Sequence, residues 1–232
     1  DVLVLAERFM EDHPVAPALK EGQPKHLALR RVAPSASVFK IISAGALLQK
    51  EVPGTKTLSY RPAKRRITAR HLKPSSSDPS SNMISALASS NNGYFAAAAE
   101  RYLTQETLFE MANAFGYNDS VPFPAFVDPS LAAVPAEPLE RARMAAGFWH
   151  SYLTPLHAAV IVQTIANQGR RTRPRFVVSM THESGVTQRA PSINHGRAVL
   201  TSANAAVIEK GLRATVTRGT ALKSFKRWPT KL

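Results

Sequence analysis

The chain has 232 residues, 44% of them hydrophobic, enough to bury a core and better suited to one large domain or two intimately packed lobes than to a string of small modules. It has no cysteine, which excludes a disulfide framework and a cysteine nucleophile, and no run of about 18 apolar residues that could span a bilayer. The net charge of +14 favours anionic surfaces, but its two concentrations, Arg61 to Lys73 and Arg213 to Lys231, do not interleave aromatics as a stacking nucleic-acid platform would, so no nucleic-acid partner is expected.

Taken in chain order, Val2 to Glu7 alternates weakly and reads as a short edge strand. It lacks the length and basic flank of a signal peptide, so any export signal or anchor is expected outside these residues. After a proline-rich loop, Pro34 opens the stretch Pro34-Ser35-Ala36-Ser37-Val38-Phe39-Lys40. Apolar residues then recur at Val38, Ile41, Ile42, Gly45, Leu47 and Leu48, which predicts a buried central helix ended by Pro53-Gly54. Thr55 to Pro79 loses helical period; Leu58 to Tyr60 and Arg66 to Thr68 read as a short strand pair, followed by a Ser/Pro surface excursion.

Helical sequence resumes at Met83 to Ala88, breaks at Ser89-Ser90-Asn91-Asn92-Gly93, and continues from Tyr94 to Leu103. Thr104 is placed to cap a further helix closed by Gly116, and Glu137 to Ala146 predicts a short one. The best-punctuated helix has Thr154 as N-cap, Pro155 at its first position and Gly169 past its end. Pro174 to Met180 and Val186 to Gln188 read as a hairpin, and Thr201 caps a last helix stopped by Gly219. This order predicts an α-rich lobe beside a sheet whose full set of strands is not found in the chain.

Two constellations could carry chemistry. Ser37 and Lys40 form the one Ser-x-x-Lys in the chain, and three-residue spacing at a helix start sends both side chains from the same face of the first turn. Phe39, Ile41 and Ile42 would desolvate the lysine and depress its pKa, as a general base requires, and the helix N-terminus would offer N–H groups to an oxyanion. Ser-x-Asn triplets start at Ser80, Ser89, Ser90, Ser192 and Ser202, so the motif alone says little, and most of them must be turns or caps. The overlapping pair from Ser89 to Asn92 differs in lying in a tight break between two apolar helices. The seven histidines show no ligand spacing, so neither a metal nor another cofactor is expected.

Ala33 to Lys40 resembles the first motif of penicillin-binding protein transpeptidase domains, which share a fold with the serine β-lactamases, and Ala88 to Phe95 is similar to the second. That register selects Ser90 and Asn92, with Phe95 in the aromatic position, over the alternative of Ser89 and Asn91. Gly147, Leu153 to Ala159 and Ile165 to Gly169 look like the family's Thr-Pro-Leu helix, and Val216 to Ala221 resembles its Gly-Thr-Ala segment. The resemblance implies an α+β fold over the whole of residues 1–232, with Ser37 as nucleophile, Lys40 and Ser90 handling protons and Asn92 holding the substrate's peptide groups. It also implies a peptidoglycan D,D-transpeptidase acting on D-Ala-D-Ala stem peptides, acylated by β-lactams, working with cell-wall synthesis proteins on the outer face of a bacterial inner membrane. A D,D-carboxypeptidase, a serine β-lactamase and a non-catalytic scaffold or sensor are the alternatives; no Glu-x-x-Leu-Asn is present to supply a lactamase base. The family's third motif, Lys-Thr-Gly, does not occur, so the chain is expected to be either a piece of such a domain or a form lacking that wall of the cleft, and poorly active by itself.

Overall fold

The computed structural model describes residues 26–175, 177–189 and 196–226. The strand expected at Val2 to Glu7 and the end of the basic C-terminal stretch lie outside them. A 3₁₀ turn at Leu27–Leu29 precedes β1 (Ala33–Pro34), and a second at Ala36–Val38 runs into α1 (Phe39–Gln49). β2 (Leu58–Ser59), a 3₁₀ turn at Ala69–His71 and β3 (Ser80–Ser81) lead to the helices α2 (Met83–Ala88), α3 (Asn92–Tyr102) and α4 (Gln105–Phe115). β4 (Leu131–Ala132), α5 (Pro138–Ala145), β5 (Ser151–Leu153) and α6 (Pro155–Ala166) follow. The last part holds β6 (Arg170–Arg171), β7 (Ser179–Thr181), β8 (Thr187–Arg189), β9 (Arg197–Ala198), α7 (Ser202–Thr217) and α8 (Leu222–Phe225).

The helix α1 is buried on every side from Phe39 to Leu48, as a helix apolar around its whole circumference must be. It is the axis of the helical lobe and meets α3, α4, α5 and α7. Gly45 lets α4 approach, since a Cβ there would lie 3.1 Å from Met111 Sδ. Phe39, Ile42, Leu47, Tyr94, Phe95 and Phe115 are fully buried in this core, and a smaller cluster of Leu29, Val121, Val127, Leu156 and Val160 lies under the loop before β4.

Among the described residues all strand pairs are antiparallel: a three-stranded sheet in the order β1-β5-β4, and the pairs β2-β3, β6-β9 and β7-β8. This is the expected α+β arrangement, a helical lobe with an incomplete sheet. β5 is its central strand, with Pro34 facing Tyr152 on one side and Leu131 facing Tyr152 on the other.

The structure corrects three local expectations. Leu58–Ser59 pairs with Ser80–Ser81, not with Arg66 to Thr68, because the buried Ile67 gives its carbonyl to Arg143 Nε at 3.0 Å. The hairpin strand is confined to Ser179–Thr181, and the described residues from Thr172 to Val178 are outside any strand. The α-helix proper starts at Phe39; Ser37 lies in the 3₁₀ turn that leads into it, whose first residue, Ala36, takes a left-handed φ of 46°. The caps at Thr104, Thr154 and Thr201 are as expected, each accepting a backbone N–H three residues on, and Gly116 and Gly169 have the positive φ of helix-ending glycines.

Candidate active site

The turn that presents Ser37 is fixed from behind by residues remote in sequence. Ser35, buried, donates its N–H to Ser151 O on β5 at 3.0 Å, and its Oγ accepts from the buried Tyr117 hydroxyl at 2.9 Å. The next residue, Ala36, has a strained left-handed backbone, and its carbonyl faces Gly147. Gly147 itself has φ 90°, and a Cβ on it would fall well inside contact distance of Ala36 O. Glycine is therefore required there twice over, by conformation and by space.

Ser37 is exposed at the mouth of this turn, and Lys40, one helical turn on, is 2% exposed. Lys40 Nζ donates to Ser37 Oγ at 3.0 Å and to the buried Ala146 carbonyl at 2.7 Å. Burial lowers the lysine pKa from 10.5 to about 8, so its neutral form is accessible near physiological pH. The Ser37 N–H has no hydrogen-bond partner among the described residues and is free to meet an oxyanion.

The break between α2 and α3 supplies the third group. Ser90 has φ 51°, and the N–H groups of Ser90 and Asn91 return to Leu87 O and Ala86 O, so a left-handed residue closes α2. Asn91 Oδ1 then caps α3 by accepting from Tyr94 N at 3.0 Å. Between those two constraints the Ser90 Oγ is held 2.8 Å from Ser37 Oγ. Ser89 Oγ instead donates to Ser85 O within its own helix.

Of the four residues singled out by sequence, Ser37, Lys40 and Ser90 are joined by hydrogen bonds. Asn92 is two residues along from Ser90, and its side-chain amide donates to Lys64 O at 2.6 Å rather than to any of the three. One other Ser-x-Asn triplet supplies a cap, Asn82 Oδ1 accepting from Ser85 N, and in another Asn204 gives its backbone N–H to the capping Thr201. The triplet at Ser192 lies outside the described residues.

Sequence reasoning missed the Ala146 carbonyl, the Ser35 to Tyr117 link and Lys64. A backbone acceptor carries no side-chain signal, and Tyr117 followed a helix-ending glycine in an irregular stretch. His157, inside the Thr-Pro-Leu segment, is buried with Nε2 3.0 Å from Phe115 O. Burial brings its pKa down to about 4, with Arg171 adding to the effect, so the ring is neutral and Nε2 carries the proton it donates. It is a packing group behind the site, edge-on to Tyr117.

Among the described residues no helix is long and apolar enough to cross a membrane, and no cluster of three His, Cys, Asp or Glu could hold a metal.

The family model of the penicillin binding protein transpeptidase domain matches residues 8–230. No curated protein matches the chain. Among solved structures, penicillin-binding protein A from Mycobacterium tuberculosis superposes with a TM-score of 0.70 at 24% identity, over 82% of this chain and 45% of that one. Its imipenem acyl-enzyme complex gives 0.73 at 24%, over 89% and 47%. The D,D-transpeptidase domain of a peptidoglycan glycosyltransferase from Eggerthella lenta gives 0.66 at 24%, over 81% and 49%. The chain thus spans about half the length of these structures, and at this identity they establish a shared fold.

Proposed function

Because this chain belongs to the penicillin binding protein transpeptidase domain family, we propose that it carries the acylation half of a peptidoglycan D,D-transpeptidase site, with Ser37 as nucleophile. The observation that carries this reading is the Ser37 hydroxyl held between Lys40 Nζ at 3.0 Å and Ser90 Oγ at 2.8 Å. In the neutral form Lys40 accepts the Ser37 proton as the oxygen attacks the D-Ala-D-Ala carbonyl, forming the new C–O bond. The developing oxyanion is assigned to the Ser37 N–H, which has no partner among the described residues. On collapse the C–N bond breaks and the departing D-alanine amine takes a proton, either the one Lys40 holds or that of the Ser90 hydroxyl, hydrogen-bonded to Ser37 in the resting site, which Lys40 then replaces. An amine of a neighbouring stem peptide then attacks the ester and restores the serine. Asn92, at the head of α3, is assigned to the substrate's peptide groups.

The substrate sets the location, on the outer face of a bacterial inner membrane, and cell-wall synthesis proteins are the expected partners. β-Lactams acylate the neighbouring penicillin-binding protein A structures, and the same is proposed for Ser37. A fluorescent penicillin tests this on the intact protein. Stable labelling lost in Ser37→Ala supports the reading, rapid turnover of the label would point to a lactamase, and no labelling of the intact protein would favour a scaffold. Release of D-alanine without cross-linking would make the enzyme a carboxypeptidase.

A further inference from the structure

The basic segment Arg61 to Lys73 holds six Lys and Arg and no acidic residue, and the acyl-transfer chemistry leaves it unused. It is not a loose surface loop. At its start, Arg61 pairs with Asp78 at 3.1 Å, and the Arg61 carbonyl lies against Gly93, where a Cβ would collide with it. At its centre, Lys64 O accepts from the Asn92 side chain at 2.6 Å. Beyond that, Ile67 is buried and its carbonyl takes Arg143 Nε, and Thr68 with the buried His71 forms a reciprocal cap at 3.0 Å. Every anchor is made by backbone or by residues flanking Lys64-Arg65-Arg66, and all three of these side chains are exposed with no acidic partner among the described residues. The two carboxylates this network reaches are already held: Asp78 by Arg61, and Glu140 by His150, Trp149 and Arg143, which pull its pKa down to about 2.

The fixed backbone places the residues that carry these cations near the site. Ser90 touches Ser37, and Asn92, two residues on and so no more than about 7 Å along the chain, holds Lys64. We infer that Lys64, Arg65 and Arg66 form an electrostatic rim that binds free carboxylates of the peptide strand entering the Ser37 site. Guanidinium groups suit carboxylates because their paired N–H groups match both oxygens, and an exposed cation costs little desolvation to pair. With Asn92 assigned to the strand's peptide groups and bonded to Lys64 O, a carboxylate away from the scissile bond falls near this rim, whereas a membrane or nucleic acid would need a surface that need not adjoin the site. The inference rests on the acyl-transfer reading only for the identity of the strand as a stem peptide.

The test uses the intact protein with Ser37→Ala, so that binding is read without acylation. A fluorescently labelled stem pentapeptide with its carboxylates free is compared by anisotropy with the same peptide whose side carboxylates are amidated. The free-acid peptide is expected to bind about three- to tenfold tighter at low salt, as a few exposed ion pairs allow. The preference should shrink towards unity near about 0.5 M salt and vanish in Arg65→Ser/Arg66→Ser, whose circular dichroism matches the parent. Equal binding of the two peptides, no binding of either, or a preference that survives in the double variant would overturn the inference. So would anionic phosphatidylglycerol vesicles bound through Arg65 and Arg66 while the peptides are not distinguished. Failure of penicillin labelling in the parent with the peptide preference intact would sink the acyl-transfer reading and leave the carboxylate rim standing.

Discussion

Lys40 and His157 are both buried nitrogen bases, both pushed to lower pKa by loss of water, yet they sit in opposite kinds of pocket. Lys40 Nζ is hydrogen-bonded to Ser37 Oγ, a side chain that is itself exposed. Around His157 the polar contact is the Phe115 carbonyl, and the other ring nitrogen, Nδ1, is buried without a partner. Burial sets the proton affinity in each case; only Lys40 has a route from its proton to solvent-borne substrate. A depressed pKa by itself therefore does not mark a catalytic base, and the path out of the pocket does.

The strongest test of that contrast is Lys40→Met. Penicillin labelling should fall by roughly 10²–10⁴, the usual worth of a positioned base. Stability at pH 7 should not fall, because the folded-state pKa lies below the unfolded one: desolvation of the ammonium costs roughly 3 kcal/mol at every pH under about 8, and methionine removes that cost. A melting temperature well below the parent's at pH 7 would show that Lys40 is held charged and compensated. In the parent, labelling should rise about tenfold per pH unit and level off above about 8, as the lysine loses its proton; a flat profile from pH 6 to 9 would remove Lys40 from the base role.

Gly147→Ala attacks the turn that presents Ser37 from behind. Its Cβ would press on Ala36 O and adopt a φ of 90°, costing on the order of 3 kcal/mol and slowing labelling at least tenfold. Full labelling in a stable variant would mean that the turn tolerates movement.

The sealed pocket makes the reverse prediction. His157 has a folded pKa of about 4 against 6.5 unfolded, so stability is fully present above about 6.5 and falls as pH drops towards 4, by up to roughly 3 kcal/mol. Chemical denaturation across that window should lose this slope in His157→Gln, with penicillin labelling at pH 8 little changed. A large loss of labelling at pH 8 would give His157 more than a packing role. The smallest effect is expected for Tyr117→Phe, which removes the bond to Ser35 Oγ for about 1 kcal/mol, read as a shift in denaturation midpoint.

The same division between local and remote governs what the sequence revealed. Thr154, Pro155 and Gly169 announced α6 because a cap, a preset φ and a left-handed stop are decided within a few residues. The Ser37 and Lys40 pair was legible for the same reason, through three-residue spacing on an apolar helix. The groups that give the pair its environment were not. Ala146 O comes from 106 residues away, and the Ser35 to Tyr117 bond spans 82. Ile67 looked like a strand residue because burial and a β-branched side chain are shared by strands and by buried loops; its carbonyl is claimed by Arg143, 76 residues on. Only the resemblance distinguishes Ser90 from Ser89 in the sequence, whereas in the structure the left-handed turn at Ser90 separates them.

The Ala146 carbonyl has a consequence for timing. A neutral amine still carries two N–H groups, so Lys40 can keep donating to Ala146 O at 2.7 Å while its lone pair points along the 3.0 Å line to Ser37 Oγ. After it accepts the serine proton, that same bond to Ala146 O persists and strengthens against an ammonium. In the proposed reaction the proton can therefore cross without any heavy atom of the lysine changing place, and the reorganisation that water would demand at that step has been done in advance by folding.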